Sequence, residues 1–143
     1  MECNLSRENI TKSLRYAKVF DVETKGEVLS TNDEVKARIK SGVREGLVVV
    51  ASSQLKGRGT NGRSFFSPED TGVYMSILVR PSIEIAPYLT SMTAVSVAKA
   101  IENLNGNAPS IKWVNDIYAK GKKCAGILTE AVSTGSEFSH AVI

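Results

Sequence analysis

Cysteine and histidine are almost missing from this 143-residue chain, which holds two cysteines, Cys3 and Cys124, and one histidine, His140. Two thiols so far apart cannot form the disulfide framework of a small secreted domain. No pair has the two-residue spacing that clasps a structural zinc, so no metal site built from this chain is expected. Long apolar runs are missing too, and none approaches the roughly 20 residues that span a bilayer. Repeats, low-complexity tracts and interdomain linkers are also lacking. The net charge is only +3, too small for a dominant nucleic-acid footprint, so neither DNA nor a membrane is an expected partner. No secretory signal is read at the start, and a reducing, cytoplasmic setting is the expectation. What is left has ordinary globular proportions, 42% hydrophobic and 23% charged, and reads as one domain over 1–143.

Acid is missing from one stretch in particular. Residues 56–63 hold three glycines (Gly57, Gly59, Gly62) and three cations (Lys56, Arg58, Arg63) and no carboxylate. Glycine permits positive φ and close backbone approach, so amide N–H groups can converge on one point. Arginine adds forks that match phosphate and carboxylate oxygens bidentately. The loop 54–68, from Gln54 to Pro68, therefore has the chemistry of an anion cradle. Its plainer reading is a mobile surface loop. It fails the Walker pattern, since no Gly-Lys-Ser/Thr closes it, and it lacks the strand-turn-helix setting of a dinucleotide fingerprint.

Around this loop the pattern predicts alternating strands and helices. Ser6 caps a short helix through about Arg15, and residues 17–22 alternate as an edge strand would. Lys25-Gly26 reads as a turn. Thr31 or Asn32 caps a second helix, with Val35, Ala37 and Ile39 toward the core and Gly42 closing it. The β-branched run 47–51 reads as a buried central strand. Residues 72–79 form another, with Val73, Met75, Ile77 and Val79 on one face. A long helix over 85–104 puts Met92, Val95, Ala98, Ile101 and Leu104 in the core, and Gly106 stops it. Short strands follow over 111–113, 117–119 and 125–132, with a hairpin turn at Gly121-Lys122. A last strand starts at Phe138 and runs to Ile143. Strands outnumber helices and most links between strands are short. The class is α+β, with a mixed, largely antiparallel sheet and helices packed on one face.

Two more clusters carry chemistry. Lys112-Trp113-Val114-Asn115-Asp116 sets a lysine on a short strand beside a tryptophan taken as buried. Such a lysine can hold a carboxylate or phosphate while a loop covers it; its plainer reading is a solvated strand residue followed by an Asn-Asp turn. Ser30-Thr31-Asn32 at a strand-to-helix junction offers hydroxyl and amide groups to a neutral polar ligand, or simply caps the helix. Lys122-Lys123 reads as a solvated hairpin tip, and Phe65 and Phe66 as core or as a stacking platform.

In this order the segments resemble the catalytic domain of biotin protein ligases. That family carries a Ser-Thr-Asn element, a Gln-x-x-Gly-Arg-Gly-Arg-x-Gly-Arg loop with an aromatic-Phe-Ser-Pro tail, a Lys-Trp-Pro-Asn-Asp motif and a Lys-x-Ala-Gly-Ile-Leu-x-Glu segment. Here these stand as Ser30-Thr31-Asn32, Gln54 to Pro68, Lys112 to Asp116, and Lys123-Cys124-Ala125-Gly126-Ile127-Leu128-Thr129-Glu130. The likeness runs from about Ser30 to the end of the chain. It implies a fold like that of class II aminoacyl-tRNA synthetases and a two-step reaction using biotin, ATP and Mg²⁺. Biotin is activated as biotinyl-5′-AMP, then passed to a lysine on the biotin carboxyl carrier domain of a carboxylase.

The resemblance also implies roles. Ser30, Thr31, Asn32, Gln54, Gly57, Arg58, Gly59, Thr60, Lys112 and Gly126 would bind biotin. Arg58, Arg63, Phe65, Lys112 and Asn115 would bind ATP and the adenylate, with Lys112 and Arg58 as the catalytic pair. Thr60 stands where most relatives have the loop's second arginine, which removes one cation, and Val114 replaces the proline of the lysine motif. The family's Gly-x-Gly-x-Asn strand and small C-terminal β-barrel have no counterpart here, so an incomplete catalytic domain and an unfinished sheet edge at 138–143 are expected. An N-terminal helix-turn-helix domain, and with it a repressor role, is not expected; a homodimer is left open. Alternatives are a lipoate or octanoate transferase on the same fold, and a remnant that binds biotin or joins other subunits without completing ligation.

Overall fold

The computed structural model describes residues 5–135 and 137–143. The chain divides into two compact units, one formed by residues up to Arg80 with Ala131–Ile143, the other by Pro81–Glu130.

The first unit is built on a five-stranded sheet of β1 (Asp21–Val28), β2 (Leu47–Gln54), β3 (Tyr74–Val79), β7 (Glu130–Thr134) and β8 (Glu137–Val142), in the order β1-β2-β3-β8-β7. β1 and β2 run parallel, linked by a crossover through helix α2 (Thr31–Ile39), while β2–β3 and β3–β8 are antiparallel. The β-branched run of β2 is continuous because both its faces are buried. Leu47 and Val49 join Val35 of α2, Leu78 and Val142 in one cluster. Val48 and Val50 join Val22 on the other face, covered by Leu5, Ile10, Leu14 and Phe20. Three of those four flank or lie in helix α1 (Arg7–Ser13), whose N-cap Ser6 accepts the Asn9 N–H at 3.3 Å. The α+β class and the mixed, largely antiparallel sheet are as expected; within this unit, however, α1 and α2 cover opposite faces rather than one.

Several local expectations give way to the longer-range pairing. Residues 17–19 form a 3₁₀ turn, and β1 starts at Asp21 and runs straight through Lys25-Gly26. Its parallel register with β2 extends from Asp21↔Leu47 to Val28↔Gln54, which keeps that stretch extended. Gly46 feeds β2 at φ +90°, and a Cβ there would fall on the Val19 carbonyl oxygen, so only glycine fits. In β3 the alternation holds but the faces are reversed: Tyr74, Ser76 and Leu78 are buried, while Val73 and Met75 are exposed. Ala37 of α2 is also exposed. Residues 138–143 do not present a bare edge. β8 lies inside the sheet between β3 and β7, paired as Leu78↔Val142 and Val79↔Ala141, with Ile77 and Ile143 exchanging both backbone hydrogen bonds at 2.8 and 3.0 Å.

The second unit sets helix α3 (Leu89–Asn105) against a three-stranded antiparallel sheet of β4 (Ser110–Lys112), β5 (Asp116–Ala119) and β6 (Lys122–Gly126). Gly106 caps α3 at φ +71°, donating its N–H to Glu102 at 2.7 Å, as the sequence predicts. The apolar stripe does not: Met92, Val95 and Leu104 are exposed and only Leu89 and Ala94 are buried. Strands of three to five residues present too little surface to cover a 17-residue helix. Trp113, taken as buried, is 82% exposed. The β5–β6 turn sits one residue earlier than expected, on Lys120 and Gly121, both at positive φ as a type I′ turn requires. The stretch 125–132 is two strands, because Ile127 leaves the ladder to donate its N–H to the Asn115 carbonyl at 2.8 Å.

Among the described residues no helix is long and apolar enough to cross a membrane.

Candidate functional site

Polar side chains meet where the end of β2, the start of α2 and the middle of β3 converge. Ser30, Thr31 and Asn32 are all buried, at 3%, 4% and 6% exposure. They begin α2, with Ser30 as N-cap residue, but Ser30's side chain makes no capping bond. Ser30's side chain is therefore not spent on the helix end. The Gln54 Oε1 atom instead accepts from the Thr31 backbone N–H at 2.9 Å and from the Thr31 hydroxyl at 3.2 Å. Gln54 Nε2 donates to the Ser67 hydroxyl at 3.0 Å, and Ser67 donates on to the Phe65 carbonyl at 3.1 Å.

Ser76 completes the cluster and was not among the sequence candidates. Its hydroxyl, 1% exposed, reaches Thr31 Oγ1 at 2.7 Å and also contacts Asn32 Oδ1. The signal was available, since a serine at a buried position of an otherwise apolar strand must find a partner. The apolar pattern of Val73, Met75, Ile77 and Val79 points the opposite face of β3 inward, and that hides it.

The glycine-rich loop closes on itself beside this cluster. Gly59 donates to the Arg63 carbonyl at 2.7 Å and Phe65 to the Gly57 carbonyl at 2.8 Å. Gly57 is required by space: a Cβ there would strike the Phe65 carbonyl oxygen and the Ser67 hydroxyl. Thr60 opens a 3₁₀ turn ending at Gly62, with Asn61 and Gly62 at positive φ. Arg58, Thr60 and Arg63 are exposed, Phe65 is half-buried and Phe66 is 87% exposed. Arg58 Nη2 meets Asp33 Oδ1 of α2 at 2.7 Å, so the loop's first arginine is tied to the helix that carries Ser30 to Asn32.

Lys112, Asn115 and Gly126 belong to the second unit. There β4, β5 and β6 align Lys112 with Asp116 and Asp116 with Gly126. The Lys112 ammonium lies 6.0 Å from the centroid of the Tyr118 ring. Asn115 carries a turn, its carbonyl accepting from Ile127 and its Nδ2 reaching the Ile127 carbonyl at 3.4 Å. The peptide bond between Trp113 and Val114 is cis. Lys123 is not a solvated tip but pairs with Asp116 at 2.8 Å.

Residues 26–143 match the family model of the biotin/lipoate A/B protein ligases. The chain belongs to that family. It is 48% identical over 88 residues to the bifunctional ligase/repressor BirA of Bacillus subtilis, covering 60% of this chain and 27% of that one. It is 32% identical over 108 residues to the biotin–[acetyl-CoA-carboxylase] ligase of Mycobacterium tuberculosis, covering 71% of this chain and 41% of that one. Among solved structures, the biotin protein ligase of Leishmania major in complex with biotinyl-5-AMP superposes with a TM-score of 0.69 at 27% identity, over 85% of this chain and 56% of that one. The Aquifex aeolicus enzyme in complex with biotin and ATP gives 0.67 at 31%, over 85% of this chain and 50% of that one. The chain thus spans less than half the length of these curated relatives.

Proposed function

We propose that this chain carries the adenylation chemistry of a biotin protein ligase. The observation that carries the reading is the polar cluster of buried Ser30, Thr31, Asn32 and Ser76 with half-buried Gln54, beside a cationic loop. Biotin's ureido head is neutral, with one carbonyl acceptor and two N–H donors, and a cluster of hydroxyls and amides can answer both. The loop's cations suit the charged end of the reaction.

In the first step a biotin carboxylate oxygen attacks the α-phosphorus of MgATP. The new P–O bond forms as the bond to the β-phosphate bridge breaks, and pyrophosphate leaves. Two anions must be brought together, so catalysis rests on neutralising and aligning them. Arg58 and Arg63 would hold phosphate oxygens, Lys112 the carboxylate and α-phosphate, Gly57, Gly59 and Thr60 the biotin tail. Phe65 and Asn115 would hold the nucleotide, and Gly126 would contact biotin. Mg²⁺ enters with ATP as part of the substrate. In the second step a lysine amine of a carboxylase's biotin carboxyl carrier domain attacks the acyl carbon, and AMP departs. The mixed anhydride hydrolyses readily, so a loop that excludes water protects it. The cytoplasm, where ATP is plentiful, is the compartment we assign.

Biotin-dependent exchange of labelled pyrophosphate into ATP tests this reading. Exchange that requires biotin is expected. Biotin binding without exchange would overturn the catalytic part and leave a binding protein.

A further inference from the structure

On the three-stranded sheet of the second unit, Lys112 stands directly opposite Asp116. An ammonium and a carboxylate facing each other across an antiparallel pair attract, and a Lys112–Asp116 bond is the outcome that β-sheet chemistry favours. The structure shows a different pairing. Asp116 Oδ1 lies 2.8 Å from Lys123 Nζ, and Lys112 rests over Tyr118 instead.

A β-bulge makes this exchange of partners geometrically available. Between β5 and β6 the register runs Asp116↔Gly126, Ile117↔Ala125, then Tyr118↔Lys123, so Cys124 is the extra residue. Gly126 and Lys123 are three apart and would point to opposite faces of a regular strand. The bulge brings Lys123 back to the face of Asp116 and Tyr118. Gly126 then leaves room for it: a Cβ there would sit 3.1 Å from both Cε and Nζ of Lys123. Asp116 Oδ1 is itself buried, and the Lys123 ammonium at 2.8 Å is what compensates it. The Asp116 side chain is 20% exposed but its Oδ1 is buried, so loss of that cation leaves a charge that attracts another. Lys112, in register opposite, is the claimant the sheet places across from it.

We propose that Lys123 is a positioning residue which occupies Asp116 and so keeps the Lys112 ammonium available to a substrate anion. The inference rests on the reading of Lys112 as a ligand of the biotin carboxylate and α-phosphate, and it assigns Gly126 the task of making room for Lys123.

The test uses Lys123→Met in the full chain, with Lys123→Arg as the conservative control and Lys123→Met/Asp116→Asn as the rescue. Titration with biotin and with biotinamide, which lacks the carboxylate, separates the roles. Lys123→Met is expected to weaken biotin about tenfold and leave biotinamide unchanged, with Lys123→Arg and the double variant near wild type. Equal loss for both ligands, or a double variant as weak as the single one, would overturn the proposal. If the wild-type chain binds no biotin, the ligase reading fails while the Lys112 ammonium resonance in ¹⁵N NMR still decides this one. It should move in Lys123→Met and return in the double variant, and an unmoved resonance refutes the pairing. Should Lys123→Met not fold, Lys123→Gln in the same measurements gives the same contrast.

Discussion

Asp33 Oδ1 and Arg58 Nη2 lie 2.7 Å apart, joining the first turn of α2 to the glycine-rich loop across 25 residues of sequence. Both side chains are more than a third exposed, so the pair adds little to global stability. Its consequence is local: it restrains the loop against the helix that carries Ser30, Thr31 and Asn32. Asp33→Asn should change unfolding free energy by less than about 0.5 kcal/mol. Amide exchange at Gly59 and Phe65, whose N–H groups close the loop, should accelerate. Unchanged protection at both amides would show that the loop is held by its own hydrogen bonds alone.

Ser76 is the residue on which the buried network turns. Its hydroxyl serves Thr31 and Asn32, and removing it leaves buried polar atoms short of a partner. Ser76→Ala should cost about 1–3 kcal/mol in urea denaturation and weaken biotin about tenfold. Stability within error of wild type would mean that the network does not depend on this hydroxyl.

The sequence made legible what is encoded locally. The run of Leu47 to Ala51 reads as a strand buried on both faces and Gly106 as a helix stop, and the fold has both. The rest depends on pairings between distant residues. The face of β3 that turns inward is ambiguous because Met75 and Ile77 are as apolar as Tyr74 and Leu78. The place of β8 inside the sheet is set by its register with β3, 64 residues away at Leu78↔Val142. The partner of Lys123 depends on a bulge at Cys124, and nothing in that residue's chemistry announces one. For the site, the motifs are visible in the sequence, but the bonds that join Gln54 to Ser67, Thr31 to Ser76 and Arg58 to Asp33 are not, since those exist only through the fold.

His140 gives the fold a pH dependence of known sign. Its ring is buried on β8, with Nδ1 2.7 Å from the Ser139 hydroxyl and Nε2 without a partner among the described residues. Burial, and secondarily the positive charge of Arg80, lowers its pKa from 6.5. The unfolded chain therefore binds the proton more readily, and stability falls as pH drops below about 6.5 toward the lowered folded value. Melting temperature should decline between pH 7.5 and 5.5, and His140→Phe should flatten that slope. Glu23 does not confuse the window. Burial acts to raise its pKa, but the hydrogen bond and charge of Arg38 prevail and hold it below 4.5. An equal slope in His140→Phe would assign the effect elsewhere.

Thr60 marks where this loop has one cation fewer than the family pattern. It opens the 3₁₀ turn on an exposed part of the loop, where a longer side chain meets no steric barrier. If the loop cradles the adenylate phosphate, Thr60→Arg adds a bidentate donor, and release of biotinyl-5′-AMP should slow severalfold in a trapping assay. An unchanged release rate would remove the loop's cations from adenylate retention.

Gly57 separates the loop's geometry from its charge. It is buried at the root of the loop, and an added Cβ would collide with the Phe65 carbonyl oxygen and the Ser67 hydroxyl. One of these is backbone and cannot swing away, so Gly57→Ala must displace the 57–65 closure or lose the Gln54–Ser67 bond. Gly59 makes the control: a Cβ there meets Arg63 atoms only at 3.6 and 3.8 Å, ordinary contact. Gly59→Ala should therefore retain most biotin affinity. Gly57→Ala should lose at least tenfold while its far-ultraviolet circular dichroism stays that of the parent, because the β2 core of Leu47 to Ala51 lies on the other side of Gln54. Equal affinities for the two alanine variants would mean that the loop's closure, as distinct from its cations, contributes nothing to binding.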